Sequence, residues 1–168
     1  MANKRPRITT DTETRATAEH AFDLRLWLRM LACTNLIESH VRVRLRTEFD
    51  ITLPRFDLMS QLERSPKGLQ MGELSKRMMV TGGNVTGITD QLAAEGLVVR
   101  EDCPRDRRSY IIKLTPEGSR SFRKMALAHE KWILDLFGAM DETHRDQIYE
   151  LLGLLKSSAS RAAGISGA

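Results

Sequence analysis

One stretch of the chain has a strong strand pattern, and segments with helix patterns surround it. Residues 98–115 read VVREDCPRDRRSYIIKLT. The β-branched and aromatic residues at both ends suit strands, because such side chains pack well on a pleated surface. The run of opposed charges between them contains a proline, so the stretch predicts a two-stranded hairpin with a charged tip. The chain has no alternating strand and helix patterns, which excludes parallel-sheet folds.

Helix patterns begin well before this hairpin. Apolar residues recur at spacings of three and four over residues 18–49, which predicts a long first helix. The apolar stripe is wider than a lone surface helix requires, as in a helix shared with a second subunit. A second helix is predicted from Thr52, a plausible N-cap followed by Pro54 in the first turn, to the turn residues 65–68.

Two short helices and two longer ones complete the prediction. Residues 69–80 predict a third helix, and a fourth runs from Thr81 as N-cap to Gly96 as the C-terminal stop. After the hairpin, Thr115 and Pro116 open a helix that reaches about residue 137, and Asp141 opens the last one. Residues 1–17 and 157–168 are polar and predicted to be tails.

Composition narrows the function classes. The 168 residues are 41% apolar and 29% charged, which is ordinary for one soluble globular chain. No apolar run approaches the roughly 20 residues of a membrane helix, and the polar N-terminus lacks a signal-peptide core, so a cytoplasmic location is expected. Two cysteines, Cys33 and Cys103, fit a reducing compartment. The four histidines show no metal-ligand spacing with them, so no metal site is predicted.

The net charge is +4 with a pI of about 9.3, and it is unevenly distributed. Residues 61–113 carry +2 and residues 116–155 carry −2, which favours an anionic partner for the middle of the chain. A short helix, a turn and a second helix form a helix-turn-helix, and the hairpin after it is a wing. An arginine-rich tip suits a phosphate backbone or a narrow minor groove, with Asp106 bracing an arginine. The alternative is a solvated turn stabilised by ion pairs.

These residues resemble the MarR family of bacterial winged helix-turn-helix transcription regulators. The resemblance rests on Leu92, on Glu95-Gly96-Leu97-Val98 with Arg100, on Asp106 to Arg108 in the wing, and on Leu114-Thr115 with Gly118. It implies a mainly α (α+β) fold in which a two-stranded wing follows the helix-turn-helix, with N- and C-terminal dimerisation helices. It divides the chain into a tail (1–17), a dimerisation helix (18–49), the winged helix-turn-helix lobe (50–115), C-terminal dimerisation helices (116–156) and a flexible tail (157–168).

The resemblance also implies that the chain binds DNA as a transcription regulator. A homodimer would bind a pseudo-palindromic double-stranded DNA operator, with the fourth helix in a major groove, each wing at a minor groove, and half-sites about one helical turn apart. The residues expected to contact DNA are Thr81, Gly82, Asn84, Thr86, Gln91, Lys76, Arg77, Arg105, Asp106, Arg107 and Arg108. Gly82, Gly83 and Gly87 depart from the larger or basic residues that many members carry there, and close backbone approach to DNA would compensate.

Family regulators usually respond to a small ligand, and repression is the usual outcome. The residues expected to bind such an effector are His40, Arg42, Arg44, Arg46, Arg55 and Phe56, a set that suits a carboxylate. The pieces TLPRFD and GGNVTG are similar to members that control aromatic-acid breakdown, which implies an aromatic acid or its acyl-CoA thioester. Solvated arginines are the other interpretation, since residues at i, i+2 and i+4 cannot all face one pocket.

Two alternatives accompany this prediction. A redox sensor would act through Cys33, on the first helix as in some family members, or through Cys103, beside arginines in the wing. Cysteine is often buried, so inert packing is the expectation for Cys33. A protein-interaction module is the alternative of another class. No catalytic motif and no cofactor site is found, so the chain is not predicted to be an enzyme. The operator, the regulated genes and the sign of regulation are not encoded in any feature we identify.

Overall fold

The structure, a computed structural model, describes residues 21–103 and 106–164, without the side chains of residues 106–109. The elements in chain order are α1 (Phe22–Phe49), α2 (Leu53–Glu63), β1 (Leu69–Gln70), α3 (Met71–Met78), α4 (Gly82–Ala94), β2 (Val98–Cys103), β3 (Asp106–Leu114), α5 (Pro116–Phe137) and α6 (Glu142–Ala162). This order confirms the mainly α winged helix-turn-helix. Within the described ranges, no helix is long and apolar enough to cross a membrane.

The strands form one antiparallel sheet in the order β1-β3-β2. Strands β2 and β3 are the predicted hairpin, with Val98 opposite Leu114 and a register irregularity between Asp102 and Cys103. Strand β1 adds a third member that pairs Leu69 with Ile112.

The prediction that residues 69 and 70 belong to the third helix was wrong. Gly68, just before them, has a φ of +84°, a left-handed conformation that turns the chain into the sheet. A side chain at position 68 would also collide with the backbone and side chains of β3. Leu69 is then buried against the sheet, which no local helix pattern could indicate.

The chain divides into two compact units between Ala128 and His129. In the first unit, apolar side chains from α1 to α5 form the core. The fully buried ones are Leu45, Leu58, Met59, Leu62, Leu74, Val85, Leu92, Ile112 and Met125. The rings of Phe56 on α2 and Phe122 on α5 pack with their centroids 5.4 Å apart. In the second unit, Trp132 is buried and meets the His129 ring edge-on at 6.3 Å.

Most predicted helix ends are confirmed. Thr52 and Thr81 occupy N-cap positions, although neither side chain makes a cap hydrogen bond to any residue described. Asp141 accepts the His144 backbone N–H at 2.8 Å, and so caps α6. Gly96 follows α4 with a φ of +70°. Helix α1 begins at Phe22, and the predicted start at residue 18 lies outside the described residues, as do residues 1–17.

Helix α6 runs to Ala162, so the predicted tail from residue 157 was wrong for residues 157–162. Ser157 Oγ donates to the Gly153 carbonyl at 3.0 Å and so stays within the helix. Alanine and arginine, which follow it, favour helix strongly enough to extend the pattern. Gly164, with a φ of +66°, marks the end, and residues 165–168 are outside the described chain.

The junction between α4, the wing and α5 is closely packed. We call Gly96, Leu97, Thr115 and Gly118 the junction. The Thr115 N–H donates to the Leu97 carbonyl at 3.0 Å, and Thr115 Oγ donates to the Gly96 carbonyl at 2.7 Å. The same oxygen accepts the Gly118 N–H at 2.9 Å, which caps α5. A Cβ on Gly118 would lie 1.9 Å from the Leu97 carbonyl oxygen, so only glycine fits.

We predict that Gly118→Ala lowers the free energy of unfolding by at least about 2 kcal/mol, because the added methyl group overpacks a rigid backbone contact. Urea denaturation measures this. Gly72→Ala is the matched control, since nothing lies within 4 Å of its Cβ position. It should stay within about 1 kcal/mol of wild type. Equal stability of the two variants would contradict the close packing at the junction.

Candidate DNA-binding surface

Helix α4 has one buried face and one open face. Val85, Thr89 and Leu92 are fully buried and recur at helical spacing, so they fix the rotation of the helix on the core. The Thr89 hydroxyl donates to the Val85 carbonyl at 2.8 Å, which satisfies it within the core. The residues of the predicted DNA surface on and beside α4 are all exposed: Thr81, Gly82, Asn84, Thr86 and Gln91. The structure thus places them on the outward side, and their contacts with DNA stay a prediction.

Three glycines keep this open face free of bulk. A Cβ built on Gly82, Gly83 or Gly87 would meet nothing within 4 Å, so packing in the chain does not require glycine there. Each costs the helix roughly 0.5–1 kcal/mol relative to alanine. The Thr86 hydroxyl donates to the Gly82 carbonyl at 3.0 Å, so it is satisfied by the helix backbone. A partner that approaches the helix backbone closely would explain such a face.

Basic side chains of α3 lie exposed in the same helix pair. Lys76 and Arg77 are both exposed, as a role in phosphate binding requires. Arg77 Nε donates to Glu73 at 2.9 Å, and its Nη1 donates to Ser65 Oγ at 3.2 Å. Part of the Arg77 charge is therefore already neutralised by an acid one helical turn away.

The wing is tied to α4 by an ion pair that the sequence analysis did not identify. Arg100 on β2 pairs with Asp90 on α4. Glu101 and Lys113 pair across the strands at 2.6 Å. The signal for the first pair was available, because opposite charges flank the Gly96 stop, but only the turn at Gly96 between α4 and β2 brings them together. Arg100 thereby orients the wing relative to the open face of α4.

The structure does not describe the side chains of the residues predicted at the tip of the wing. Arg105 lies outside the described residues. Asp106, Arg107 and Arg108 lie on β3, and their side chains are outside the described part as well. The bracing of an arginine by Asp106 and the minor-groove role of the tip therefore stay predictions.

The predicted effector residues lie in separate local environments. On α1, His40 is partly buried, Arg42 pairs with Glu38, Arg44 with Glu48, and Arg46 with Asp50 at 3.4 Å. Each of these ion pairs is an i, i+4 contact along α1. The arginine-rich end of α1 is thus a series of neutralised pairs, the solvated alternative stated above, and not a converging cluster of free cations.

The start of α2 adds negative charge near one of these arginines. Burial raises the pKa of Asp57, and the nearby Glu38 carboxylate raises it further, while Arg42 lowers it. Asp57 therefore lies close to both partners of the Arg42–Glu38 pair. An anionic ligand at Arg42 would meet two carboxylates, which weakens this part of the predicted effector site.

The two remaining predicted effector residues are buried. Phe56 packs on Phe122 in the core, and Arg55 pairs with Glu95 at the end of α4. Both are buried, whereas Arg42 and Arg46 are exposed on α1, and the assignment of these six residues to an effector site stays a prediction.

The two cysteines differ from expectation in exposure. Cys33 is exposed on α1, where packing was expected, and Cys103 is buried at the end of β2. Gln70 Nε2 donates to Cys103 Sγ at 3.3 Å. The exposed thiol is the better candidate for a redox role. In the described part of the chain, no group of three or more His, Cys, Asp or Glu side chains is arranged to hold a metal ion.

A short helix, a second helix with an open face, exposed basic residues and a wing together define a winged helix-turn-helix DNA-binding protein. A MarR family model matches residues 49–109. YhbI of Bacillus subtilis, an HTH-type transcriptional regulator, is 30% identical over 119 residues, which cover 71% of this chain and 77% of YhbI. The chain belongs to the MarR family and is a DNA-binding transcription regulator.

Other relatives cover different shares of the chain. YkoM of Bacillus subtilis, also an HTH-type regulator, is 34% identical over 53% of this chain, a match that spans only 56% of YkoM. The transcriptional activatory protein BadR of Rhodopseudomonas palustris is 27% identical over 100% of this chain and 97% of its own.

Solved structures agree with the fold. A MarR family transcriptional regulator from Silicibacter pomeroyi has a TM-score of 0.69 and 34% identity, and the match covers 81% of this chain and 94% of that one. Sco3205 of Streptomyces coelicolor, a MarR family regulator solved in complex with DNA, has a TM-score of 0.71 and 25% identity over 85% and 89% of the two chains.

We predict that Gly87→Ala stabilises the chain yet weakens its binding to DNA. Alanine favours helix by about 0.5–1 kcal/mol, while its methyl group projects from the open face toward DNA. Thermal unfolding and fluorescence anisotropy with a duplex measure the two effects. Gly72→Ala on α3, another site with no atom within 4 Å of the Cβ position and not among the predicted DNA contacts, should stabilise without weakening binding. Unchanged DNA affinity in Gly87→Ala would contradict close approach to the helix backbone.

Proposed function

We propose that the protein binds a pseudo-palindromic operator as a homodimer, with α4 of each protomer in a major groove and each wing at the neighbouring minor groove. The open face of α4 is the observation that carries the proposal. One side of the helix is buried in the core, and on the other side the helix backbone is accessible from solvent. Sco3205, with a similar fold, was solved in complex with DNA. Two-fold symmetry of the dimer would place half-sites about one helical turn apart.

The apolar surface of α6 supports dimerisation. No residue of α6 is buried, although the helix is rich in large apolar side chains. The exposed ones are Ile148, Tyr149, Leu151, Leu152, Leu154 and Leu155. Exposed single apolar residues are common, but a contiguous set of this size marks an interaction surface. Family regulators bind DNA as dimers, and a second copy of this chain is the occupant we propose.

Helix α1 supports the same proposal from the other end of the chain. Its exposed large apolar residues are Phe22, Leu24, Leu26, Trp27, Leu36 and Val43. They lie on more than one side of the helix, as the wide apolar stripe predicted. We therefore propose α1, α5 and α6 as the dimerisation helices.

We predict that Leu152→Glu separates the dimer and abolishes specific DNA binding, because the charge would be desolvated in the proposed interface. Light scattering after size exclusion measures the mass, and anisotropy measures the binding. Gln147→Glu, an exposed polar position on the same helix, introduces the same charge and should leave both unchanged. A Leu152→Glu variant that stays dimeric would argue against α6 as an interface.

We also propose that a small aromatic acid or its acyl-CoA thioester controls binding, and that the regulator acts as a repressor. The support is the resemblance of TLPRFD and GGNVTG to regulators of aromatic-acid breakdown. BadR, which is related along the whole chain, is a transcriptional activatory protein. Whether this regulator represses or activates transcription therefore needs its own test. Transcription in vitro from the regulator's own upstream DNA decides between repression and activation.

We predict that one aromatic acyl-CoA thioester, or its free acid, releases the protein from DNA at micromolar concentration. An effector of this kind acts only through different affinities for the DNA-competent and DNA-incompetent dimers. Titration calorimetry detects binding, and anisotropy detects release. If no thioester or acid binds, this ligand class is excluded. Loss of DNA binding on peroxide treatment, absent in Cys33→Ser, would then favour the redox alternative through the exposed Cys33 thiol.

A further inference from the structure

A buried cation links α2 to the end of the recognition helix. Arg55 lies in the first turn of α2, and its side chain is only 9% exposed. Its Nη2 pairs with the carboxylate of Glu95, the C-cap residue of α4, whose side chain is 50% exposed. Arg55 Nε is buried and has no hydrogen-bond partner among the described residues. The guanidinium is therefore held by one directional contact with α4.

Each charge is unfavourable on its own helix. The N-terminal end of a helix carries partial positive charge, which disfavours Arg55 there, and the C-terminal end carries partial negative charge, which disfavours Glu95. A buried ion pair also contributes little to stability, since apolar residues of similar volume often do as well or better. Core packing thus gives no reason for this pair. What an ion pair supplies, and an apolar contact does not, is a preferred direction and distance.

The Arg55–Glu95 pair lies where a fixed direction and distance would position α4 relative to α2. Helix α2 follows α1 after a tight turn in which the Ile51 N–H donates to the Leu45 carbonyl at 3.3 Å, so the start of α2 is fixed to the end of α1. At the other side of the pair, Glu95 directly precedes Gly96 of the junction. The Asp90–Arg100 pair holds α4 to the wing five residues earlier. The two ion pairs together fix the C-terminal half of α4 against both α2 and the wing.

We propose that Arg55 is a positioning residue for DNA recognition, which acts through Glu95 to set the angle at which α4 presents its open face. The proposal rests on α4 as the helix that reads DNA, as proposed above, and not on the identity of the effector. It also provides a physical connection from α1, the proposed dimerisation helix, to the recognition helix.

Positioning and simple charge effects predict different results. If the two residues acted only through their charges, Arg55→Met would weaken binding to any duplex and Glu95→Gln would strengthen it. If they position α4, both variants lose specific binding relative to non-specific binding, although their charge changes are opposite. The ratio of the two affinities is the readout that distinguishes these cases, because unspecific phosphate attraction cancels in it.

The experiment uses the full-length protein and a duplex selected by the wild type from a random pool, with a scrambled duplex as the reference. We expect Arg55→Met and Glu95→Gln each to lower the ratio of specific to non-specific affinity by about tenfold. The double variant should lose no more than either single one, because the pair acts as a unit. Arg55→Lys, which keeps the charge, should recover part of the ratio.

Stability provides an independent readout and shows that the variants are folded. Glu95→Gln should lower the Tm more than Arg55→Met does, because it leaves a buried cation without its carboxylate, whereas an unpaired Glu95 is half exposed and can be hydrated. The control pair is Glu117 and Arg120, exposed ion-pair partners on α5. Glu117→Gln and Arg120→Met make the same charge changes and should leave the affinity ratio unchanged.

Each result has a defined meaning. Unchanged ratios in folded Arg55→Met and Glu95→Gln, or opposite changes in the two, overturn the positioning role while the DNA-binding proposal stands. A wild type that selects no sequence from the pool overturns both. Equal loss in the Glu117 and Arg120 controls would show a general charge effect and would also overturn the positioning role.

Discussion

The contact between Gly118 and the Leu97 carbonyl oxygen is the constraint on which the geometry of the DNA-binding surface depends. It lets the first turn of α5 approach the chain at the point where α4 ends and the wing begins, at a distance that no side chain would allow. Thr115 fixes the same point through both its backbone and its hydroxyl group. The end of α4, the start of the wing and the first turn of α5 therefore meet at one backbone segment.

Two ion pairs connect α4 to its neighbours near this point. Exposed and buried ion pairs alike contribute little to net stability, so we propose that these two act through geometry. Asp90–Arg100 holds the wing beside α4, and Arg55–Glu95 holds the end of α4 to α2. The open face at the N-terminal half of α4 carries glycines where packing imposes no need for them. If α4 reads DNA, its few large side chains require the helix to be placed accurately. Long flexible side chains could adjust to a small rotation of the helix, but glycines cannot.

The sequence predicted the features that arise from local chemistry. Proline after an N-cap, the Gly96 stop and the Thr115-Pro116 opening all follow from preferences of single residues, and these helix ends are confirmed. The β-branched and aromatic residues of the hairpin likewise predicted β2 and β3. Strand β1 could not be predicted, since two residues become a strand only through their distant partners on β3.

Contacts between distant residues limited the prediction of the site. The arginines near the end of α1 looked like one cluster, but the helix places an acid four residues from each of three of them, and pairing follows. Arg55 looked like a ligand residue by proximity in sequence, yet the fold buries it beside Glu95, forty residues away. The open face of α4 was predictable in part, because the apolar residues Val85 and Leu92 at helical spacing are buried as their type indicates, whereas the burial of the polar Thr89 depends on the fold.

The most direct test of the account is the sequence that the wild-type protein selects from a random pool of duplexes. Two copies of α4, related by two-fold symmetry, predict an inverted repeat whose half-sites are centred about 10 base pairs apart. Protection from hydroxyl radicals should extend beyond each half-site, where the wings reach the flanking minor grooves. Enrichment of a single motif without a repeat, or no enrichment at all, would contradict the account.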